Sequence, residues 1–270
     1  MPEDLRFSRF SHEGFPHGDV CALAQRAGEV LMEYYDQPLN IQHKADDSPV
    51  TQADFAAQRV IQAHLSTHYP DIPVISEEAP LPPYAERREW QRFWLVDPLD
   101  GTKEFIQHNG EFTVNIALIE GGVPVFGVIA VPAQQTLYYA HRDHGAWKQD
   151  LQHAPQTAPQ RLQYTPVSLT EPLRIVTSRS HLSEGLEHWI EQHSIAERIP
   201  TGSSLKFCRI AENKADVYVR LHSICEWDVA AGDCIYRYAT TGKPHASALK
   251  YNTEDLKTGA FIIGSTTLKP

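Results

Sequence analysis

Apolar residues first recur with a helical period at Val20, Leu23, Ala24, Ala27, Val30, Leu31 and Tyr34, which predicts a helix with one buried stripe. Residues 1–19, ahead of it, mix charge, proline and glycine and read as a polar leader; residues 42–49 read as a polar loop. Thr51 followed by Asp54 resembles a capping box, so a second helix is expected there, with Ala57, Ile61 and Leu65 as its buried stripe. The period then changes. Ile72-Pro73-Val74-Ile75 and Phe93-Trp94-Leu95-Val96 are short apolar runs, and each ends in acid, at Glu77-Glu78 and at Asp97. Between them lies a proline-rich loop.

Strand-like runs at 112–119 and 123–131 flank Gly121-Gly122, a hairpin signal, and a second hairpin is expected from 136–140 and 146–148. Residues 151–166 are rich in Gln and Pro without a hydrophobic period, and read as a domain linker or a surface loop. Strand and helix then alternate through 174–177, 182–190, 198–200, 205–211, 217–219 and 229–239, before a last apolar run at Phe261-Ile262-Ile263. The expected organisation is a leader (1–19), an α+β unit (20–166) and an α/β unit (167–270).

Composition narrows the partners. The chain has 270 residues, 41% of them hydrophobic, enough for a substantial core. With 24 basic against 34 acidic residues the net charge is -10, which disfavours nucleic-acid polymers and anionic lipid. A small anionic substrate is compatible with that surface where bound cations reverse the local sign. No apolar run reaches the roughly 18 residues that span a bilayer, so no membrane insertion is expected. The four cysteines form no CxxC pair, and residues 1–19 lack an apolar signal core, so a reduced, cytoplasmic protein is expected.

The chemistry concentrates in Asp97-Pro98-Leu99-Asp100-Gly101-Thr102. Two aspartates three apart, just after a buried strand, project from its end. Pro98 restricts the backbone, and Gly101 lets the chain approach an anion closely. Oxygen ligands at this density suit Mg²⁺ better than zinc. The same string would also serve as an Asp-rich turn capping its own loop. Glu77-Glu78 ends another strand and can lie beside Asp97 if the two strands are neighbours; it also reads as an exposed acidic loop. Asp228, in Trp227-Asp228-Val229-Ala230-Ala231-Gly232, sits at an expected helix N-terminus, where an aspartate alone reads as a cap. Asp54 reads equally well as part of its helix cap. Three acidic sites at element ends are more specific than any one of them.

Together, Ser76-Glu77-Glu78, the segment from Trp94 to Thr102 and Trp227-Asp228-Val229-Ala230-Ala231-Gly232 resemble the inositol monophosphatase superfamily of Mg²⁺-dependent, lithium-sensitive phosphatases. The resemblance implies a layered αβαβα sandwich of the sugar phosphatase type, an α+β half followed by an α/β half, with the site between them. It implies that Glu77, Asp97 and the Leu99 carbonyl bind one Mg²⁺ and that Asp97, Asp100 and Asp228 bind a second. A third, weaker ion would lie near Glu77. Asp54, Glu77 and Thr102 form the implied catalytic set, with Thr102 hydrogen-bonded to Asp54 and orienting the attacking water. Two ions about 4 Å apart stabilise both the entering and the leaving oxygen of an in-line displacement, so no phosphoenzyme is expected.

Further stretches bring the resemblance to the bacterial 3′(2′),5′-bisphosphate nucleotidases. They are Lys44 to Thr51, Asp100 to Ile106 with Lys103-Glu104, Asn109 to Leu118, and Gly202-Ser203-Ser204-Leu205-Lys206-Phe207-Cys208. The implied reaction converts 3′-phosphoadenosine 5′-phosphate to AMP and phosphate, disposing of a by-product of activated-sulfate reduction. The rival readings are an inositol monophosphatase-type sugar-phosphate phosphatase and a non-catalytic metal- or nucleotide-binding protein. Some relatives associate loosely with the inner membrane.

Substrate contacts implied by position are Glu77, Leu99, Asp100, Gly101, Thr102 and Asp228. Gly202, Ser203 and Ser204 open a helix whose free N–H groups and hydroxyls would hold the second phosphate, with Lys206 one turn in; an ordinary serine N-cap is the other reading. Arg220 is a further candidate for the distal phosphate, or simply an exposed arginine. Glu226 departs from the family pattern and is expected to be solvent-exposed. His64 and His68, four apart on a helix, read as a solvated face, and Cys225 and Cys234 as core or subsurface thiols. The chain contains neither a Walker A sequence nor a GxGxxG fingerprint.

Overall fold

A computed structural model describes residues 9–38, 41–43, 49–166, 172–179, 182–239 and 249–264. Residues 1–8 of the expected leader, and 44–48 of the Lys44 to Thr51 stretch, lie outside them. Helices α1 (Gly18–Tyr35) and α2 (Gln52–His68) are linked through a minimal ladder of β1 (Gln42–His43) and β2 (Pro49–Val50). β3 (Val74–Ser76), the short α3 (Tyr84–Arg87), β4 (Arg92–Asp100) and α4 (Thr102–Ile106) follow. β5 (Thr113–Glu120), β6 (Val123–Val131), β7 (Thr136–His141), β8 (Gly145–Asp150) and β9 (Gln160–Leu162) then run as an antiparallel meander. β3 lies parallel to β4 and closes a seven-stranded sheet in the order β3 to β9.

The second sheet has four strands, β10 (Leu173–Thr177), β11 (Ile195–Pro200), β12 (Val217–Arg220) and β15 (Phe261–Ile263), in the order β11-β10-β12-β15. β13 (Ile224–Cys225) and β14 (Lys257–Thr258) form a separate short ladder. Helices α5 (Glu184–Glu191), α6 (Leu205–Ala211) and α7 (Glu226–Tyr238) complete the fold.

Strand alternation sorts the core into layers. From β4 and β5, Trp94, Val96, Ile116 and Leu118 pack with Leu23, Leu31, Ile61 and Leu65 of α1 and α2. Their neighbours Phe93, Leu95, Ala117 and Ile119 pack on the other face with Phe207, Ala231 and Ile235 of α6 and α7, beside Val176 and Tyr218 of the second sheet. On that sheet's outer face, Ile175, Val217 and Val219 pack with Leu186, Trp189 and Ile190 of α5. The order is helix, sheet, helix, sheet, helix, the αβαβα sandwich. Because both faces of the large sheet are covered, its strands read as continuous apolar runs. Two glycines set the spacing of the middle layer. A Cβ on Gly232 would lie 2.5 Å from Phe207, and one on Gly127 would lie 2.8 Å from Cys234 Cβ, so α7 sits directly against both α6 and β6.

One reading needs correction, and a second segment proves more anchored than its composition suggests. Residues 151–166 are not a linker: β9 is the last strand of the large sheet, and Leu151, Ala154, Leu162 and Tyr164 are buried. Residues 9–17 of the leader pack on the sheet, with Phe15 buried 4.8 Å from the Tyr139 ring and His12 bonded to the Tyr139 hydroxyl at 2.9 Å. Aromatic residues inside a polar stretch anchor it. No helix among the described residues is long and apolar enough to cross a membrane.

Candidate metal centre

The site begins with a defect in β4. Asp97 pairs with Asn115 and Asp100 with Thr113, so β4 spends one more residue than β5 over the same interval. This bulge accommodates Pro98, which cannot donate to the ladder, and cancels one step of alternation. Residues three apart on a regular strand face opposite sides; here Asp97 and Asp100 come to the same end. The Asp97 carboxylate accepts from Leu99 N–H at 3.0 Å, and the Leu99 side chain is buried in the helix-side core.

Parallel pairing of β3 with β4 brings Ser76 opposite Val96, and Glu77 N–H donates to Val96 O at 3.1 Å. Continuing that register, Glu77 falls opposite Asp97, just past the end of β3. α7 brings the third acid: its N-cap is Cys225, without a side-chain cap bond, and Asp228 sits in the first turn. Glu77, Asp97 and Asp228 each offer an oxygen, all within 4.8 Å of one another, a group that could hold a metal ion. Burial, then Glu77, Asp100 and Asp228, push the Asp97 carboxyl well above the usual carboxylate range. Burial also raises Asp228, followed by Asp100 and Glu77, against the opposing pull of Arg220 and Lys206.

Asp100 is held from behind. Its Oδ2 accepts from Ser204 N–H at 2.7 Å, from Asn115 Nδ2 at 3.3 Å and from the Ser203 hydroxyl. Asp54 divides its two oxygens. Oδ2 accepts from Thr51 N–H at 2.8 Å and Thr51 Oγ1 at 2.7 Å, completing the capping box of α2, while Thr102 Oγ1 lies 3.4 Å from Oδ1. The cap and the Thr102 contact coexist. Gly101 adopts φ 88°, and a Cβ there would lie 3.3 Å from the Ser203 side chain, so glycine fits both the turn and the close approach.

A cleft of about 240 Å³ joins Asp100, Gly101, Ser203, Lys206, Arg220 and Asp228. Of the metal-ligand candidates, Glu77, Asp97 and Asp228 form the close group, and Asp100 and Asp228 line the cleft with Lys206 and Arg220, but two of the expected free N–H groups of the Gly202 turn are already used. Gly202 N–H donates to Glu111 at 2.8 Å, and Ser204 N–H to Asp100. Lys206 Nζ spends two donors on Ser203 O at 2.7 Å and Thr201 O at 3.3 Å. Arg220 Nε is buried with no hydrogen-bond partner among the described residues.

Glu226 is not solvent-exposed as expected. It is 0% exposed, and its carboxylate accepts from the main-chain N–H groups of Asn252 and Thr253. Residues given no role from the sequence also shape the site. Glu111, gripped by Arg179 through two 2.8 Å bonds, holds Gly202, and Thr113 and Asn115 bond to Ser204. All three first-half residues lie within the Asn109 to Leu118 stretch that carried the resemblance, which was the available signal. His64 is bonded to Asp19 at 3.0 Å and stacks on His68, so this pair is a helix-surface contact. Cys234 is buried and Cys225 half-buried, consistent with core and subsurface thiols.

A sequence profile of the inositol monophosphatase family matches residues 19–242. The 3′(2′),5′-bisphosphate nucleotidase CysQ of Salmonella typhimurium is 48% identical over 218 residues, covering 80% of this chain and 85% of that protein. The crystal structure of CysQ from Bacteroides thetaiotaomicron, described as a bacterial member of the same family, superposes with a TM-score of 0.72 at 40% identity, covering 91% of this chain and 95% of that one. The Thermotoga maritima IMPase also superposes with a TM-score of 0.72, at 22% identity over 90% of this chain and 89% of its own, a likeness of fold.

Proposed function

The chain belongs to the inositol monophosphatase family, and on that premise we propose that it is a Mg²⁺-dependent phosphomonoesterase converting 3′-phosphoadenosine 5′-phosphate to AMP and phosphate. The observation that carries the reading is the convergence of Glu77, Asp97 and Asp228 within 4.8 Å, beside a cleft that also holds Lys206 and Arg220. The nucleotide substrate is supported by the bisphosphate nucleotidase relatives at 43–48% identity.

The donor set fits a hard divalent cation. It is all oxygen, with a fully buried Asp97 that pairs with no Lys or Arg among the described residues. Glu77, Asp97 and the Leu99 carbonyl would hold one Mg²⁺, Asp97, Asp100 and Asp228 a second, with a weaker third near Glu77. When bound, the ions offset repulsion between the acids and the phosphate and stabilise charge on the entering and leaving oxygens.

The chain's own residues orient and receive. Asp54 is fixed by the helix cap through Oδ2 and takes the Thr102 hydroxyl proton in a hydrogen bond at Oδ1. That leaves the Thr102 oxygen lone pairs to accept from the attacking water and aim it at phosphorus. Gly101 lets the transferred phosphate approach the main chain. For the distal phosphate, the turn at Ser203 supplies shape and Lys206 its remaining donor, while the Arg220 guanidinium contributes charge. The reaction would recycle the bisphosphonucleotide left when activated sulfate is reduced. The expected compartment is the cytoplasm.

The test is phosphate release from 3′-phosphoadenosine 5′-phosphate and from inositol 1-phosphate in parallel, with Mg²⁺ and with chelator. Mg²⁺-dependent release from the nucleotide is expected to dominate. Preference for inositol 1-phosphate would overturn the substrate, and no release from either would overturn the enzyme.

A further inference from the structure

Residues 249–258 cross the start of α7, and opposite charges grip the two sides of this strap. On the donor side stands Glu226, the first residue of α7 and 0% exposed. It accepts from Asn252 N–H at 2.7 Å, Thr253 N–H at 2.8 Å and Thr253 Oγ1 at 2.6 Å. On the acceptor side stands Arg87, which donates to Asn252 Oδ1 at 2.9 Å, Thr253 O at 2.7 Å and Glu254 O at 2.6 Å. Arg87 Nε also reaches Pro82 O at 3.3 Å, in the loop that leaves Glu77-Glu78. The β13–β14 ladder and a Glu226 N–H bond to Leu256 O at 2.9 Å lock the strap to the entry of α7.

Neither Glu226 nor Arg87 lines the cleft. Each sits close in sequence to something that does matter there. Glu226 lies two residues before Asp228, and Arg87 ties down the chain that follows Glu77. A buried charge is a poor way to gain stability, since an apolar side chain of similar volume often serves as well. Directed hydrogen bonds from both sides of one peptide segment do something else, which is to fix the register of the parts they join.

We infer that Glu226 and Arg87 are positioning residues for the metal centre: through the strap at 252–254 they set the first turn of α7 against the segment after β3, and so hold Asp228 opposite Glu77. The inference rests on the metal reading of Glu77, Asp97 and Asp228. Outer-shell partners of metal ligands act through this kind of orientation.

Calorimetric titration with Mg²⁺ alone tests it, on the wild type, Glu226→Gln and Thr253→Val, with melting followed by circular dichroism. Glu226→Gln keeps the shape but turns an amide toward the Asn252 and Thr253 donors. It is expected to weaken Mg²⁺ binding about tenfold, with KM for the nucleotide at saturating Mg²⁺ unchanged. Thr253→Val removes the hydroxyl bond to Glu226 together with that hydroxyl's bonds to Asp255 and Lys257 within the strap, and is expected to act in the same direction by less; it decides the question if Glu226→Gln fails to fold. Unchanged Mg²⁺ affinity in the folded variants, even with a lowered melting temperature, would make the clamp purely structural and overturn the inference. A wild type that binds no Mg²⁺ would overturn the metal reading and the inference together, so the wild-type titration separates the two failures.

Discussion

Asp216 and Asp97 are both buried aspartates beside strands, and their surroundings differ in kind. Arg174 meets Asp216 with main-chain and side-chain donors at 2.7–3.0 Å. Burial pushes the Asp216 carboxyl up, but Arg174 more than offsets it and holds the group below its ordinary value. Asp233 with Arg237, Glu111 with Arg179 and Glu212 with Lys148 repeat the arrangement. Asp97 instead has Glu77, Asp100 and Asp228 for neighbours, and burial together with these like charges pushes its carboxyl well above the usual carboxylate range. Arg220 and Lys206 act on Asp228 through space, without an ion pair. Asp216, Asp233, Glu111 and Glu212 are matched by the chain's own cations, whereas Glu77, Asp97 and Asp228 form a crowded acidic group that could hold an added one. Stability and chemistry therefore pull in opposite directions at the two places.

The largest test of that contrast is Asp97→Asn. Turnover should fall on the order of a thousandfold, about 4 kcal/mol of transition-state stabilisation. In chelator, the same variant should melt at or above the wild-type temperature, because a buried like charge has gone. A clear drop in melting temperature would break the comparison. Asp100→Asn should share the loss of turnover and keep the fold.

Arg237→Met is the reverse experiment. It strips the cation from Asp233, which is 0% exposed, and should cost about 3–5 kcal/mol in urea unfolding. Turnover per folded molecule should hold.

Thr102→Val should lower kcat about a hundredfold, with KM and melting temperature little changed. Asp54→Asn should lower both turnover and stability, since it touches the cap as well as Thr102.

The smallest effect extends the comparison to groups kept neutral. Burial holds His12, His17 and His141 below the ordinary 6.5, His144 adding to the effect on His12. His141 Nδ1 accepts from Asp143 N–H at 3.2 Å, which only the uncharged ring can do. A depressed histidine pKa means that the unfolded chain binds more protons just below 6.5. Stability should be fully present above that pH and decline as pH falls toward the folded-state values. A modest fall in melting temperature over that window checks it, and alanine at the three positions should flatten the slope.

Much of this was legible in the sequence because it is local. Thr51 and Asp54 are one helical turn apart, Asp97 and Asp100 share one bulged strand end, and Glu77 and Asp97 each end an apolar run. The α+β then α/β organisation followed from the order of the apolar runs, while the layer order came with the family resemblance. What escaped was decided at a distance. β9 is three residues at a sheet edge, too short to show a period, and its place comes from pairing with β8. Glu226 is a carboxylate in sequence, and only a strap 26 and 27 residues further on makes it internal. The Gly202 turn looked like an open set of N–H donors until Glu111, 91 residues earlier, filled one of them.

Asp54 shows how such a site ages. One of its oxygens serves the helix and the other serves Thr102, so a lineage that abandoned the reaction would still be selected to keep it. Asp97 gives the fold only one bond, from Leu99 N–H at 3.0 Å, against the crowding of like charges around it; once turnover ceased to matter, drift would replace it, and the fold would gain. Among descendants of this chain, retention of Asp54 reports a helix, and retention of Asp97 reports a working enzyme.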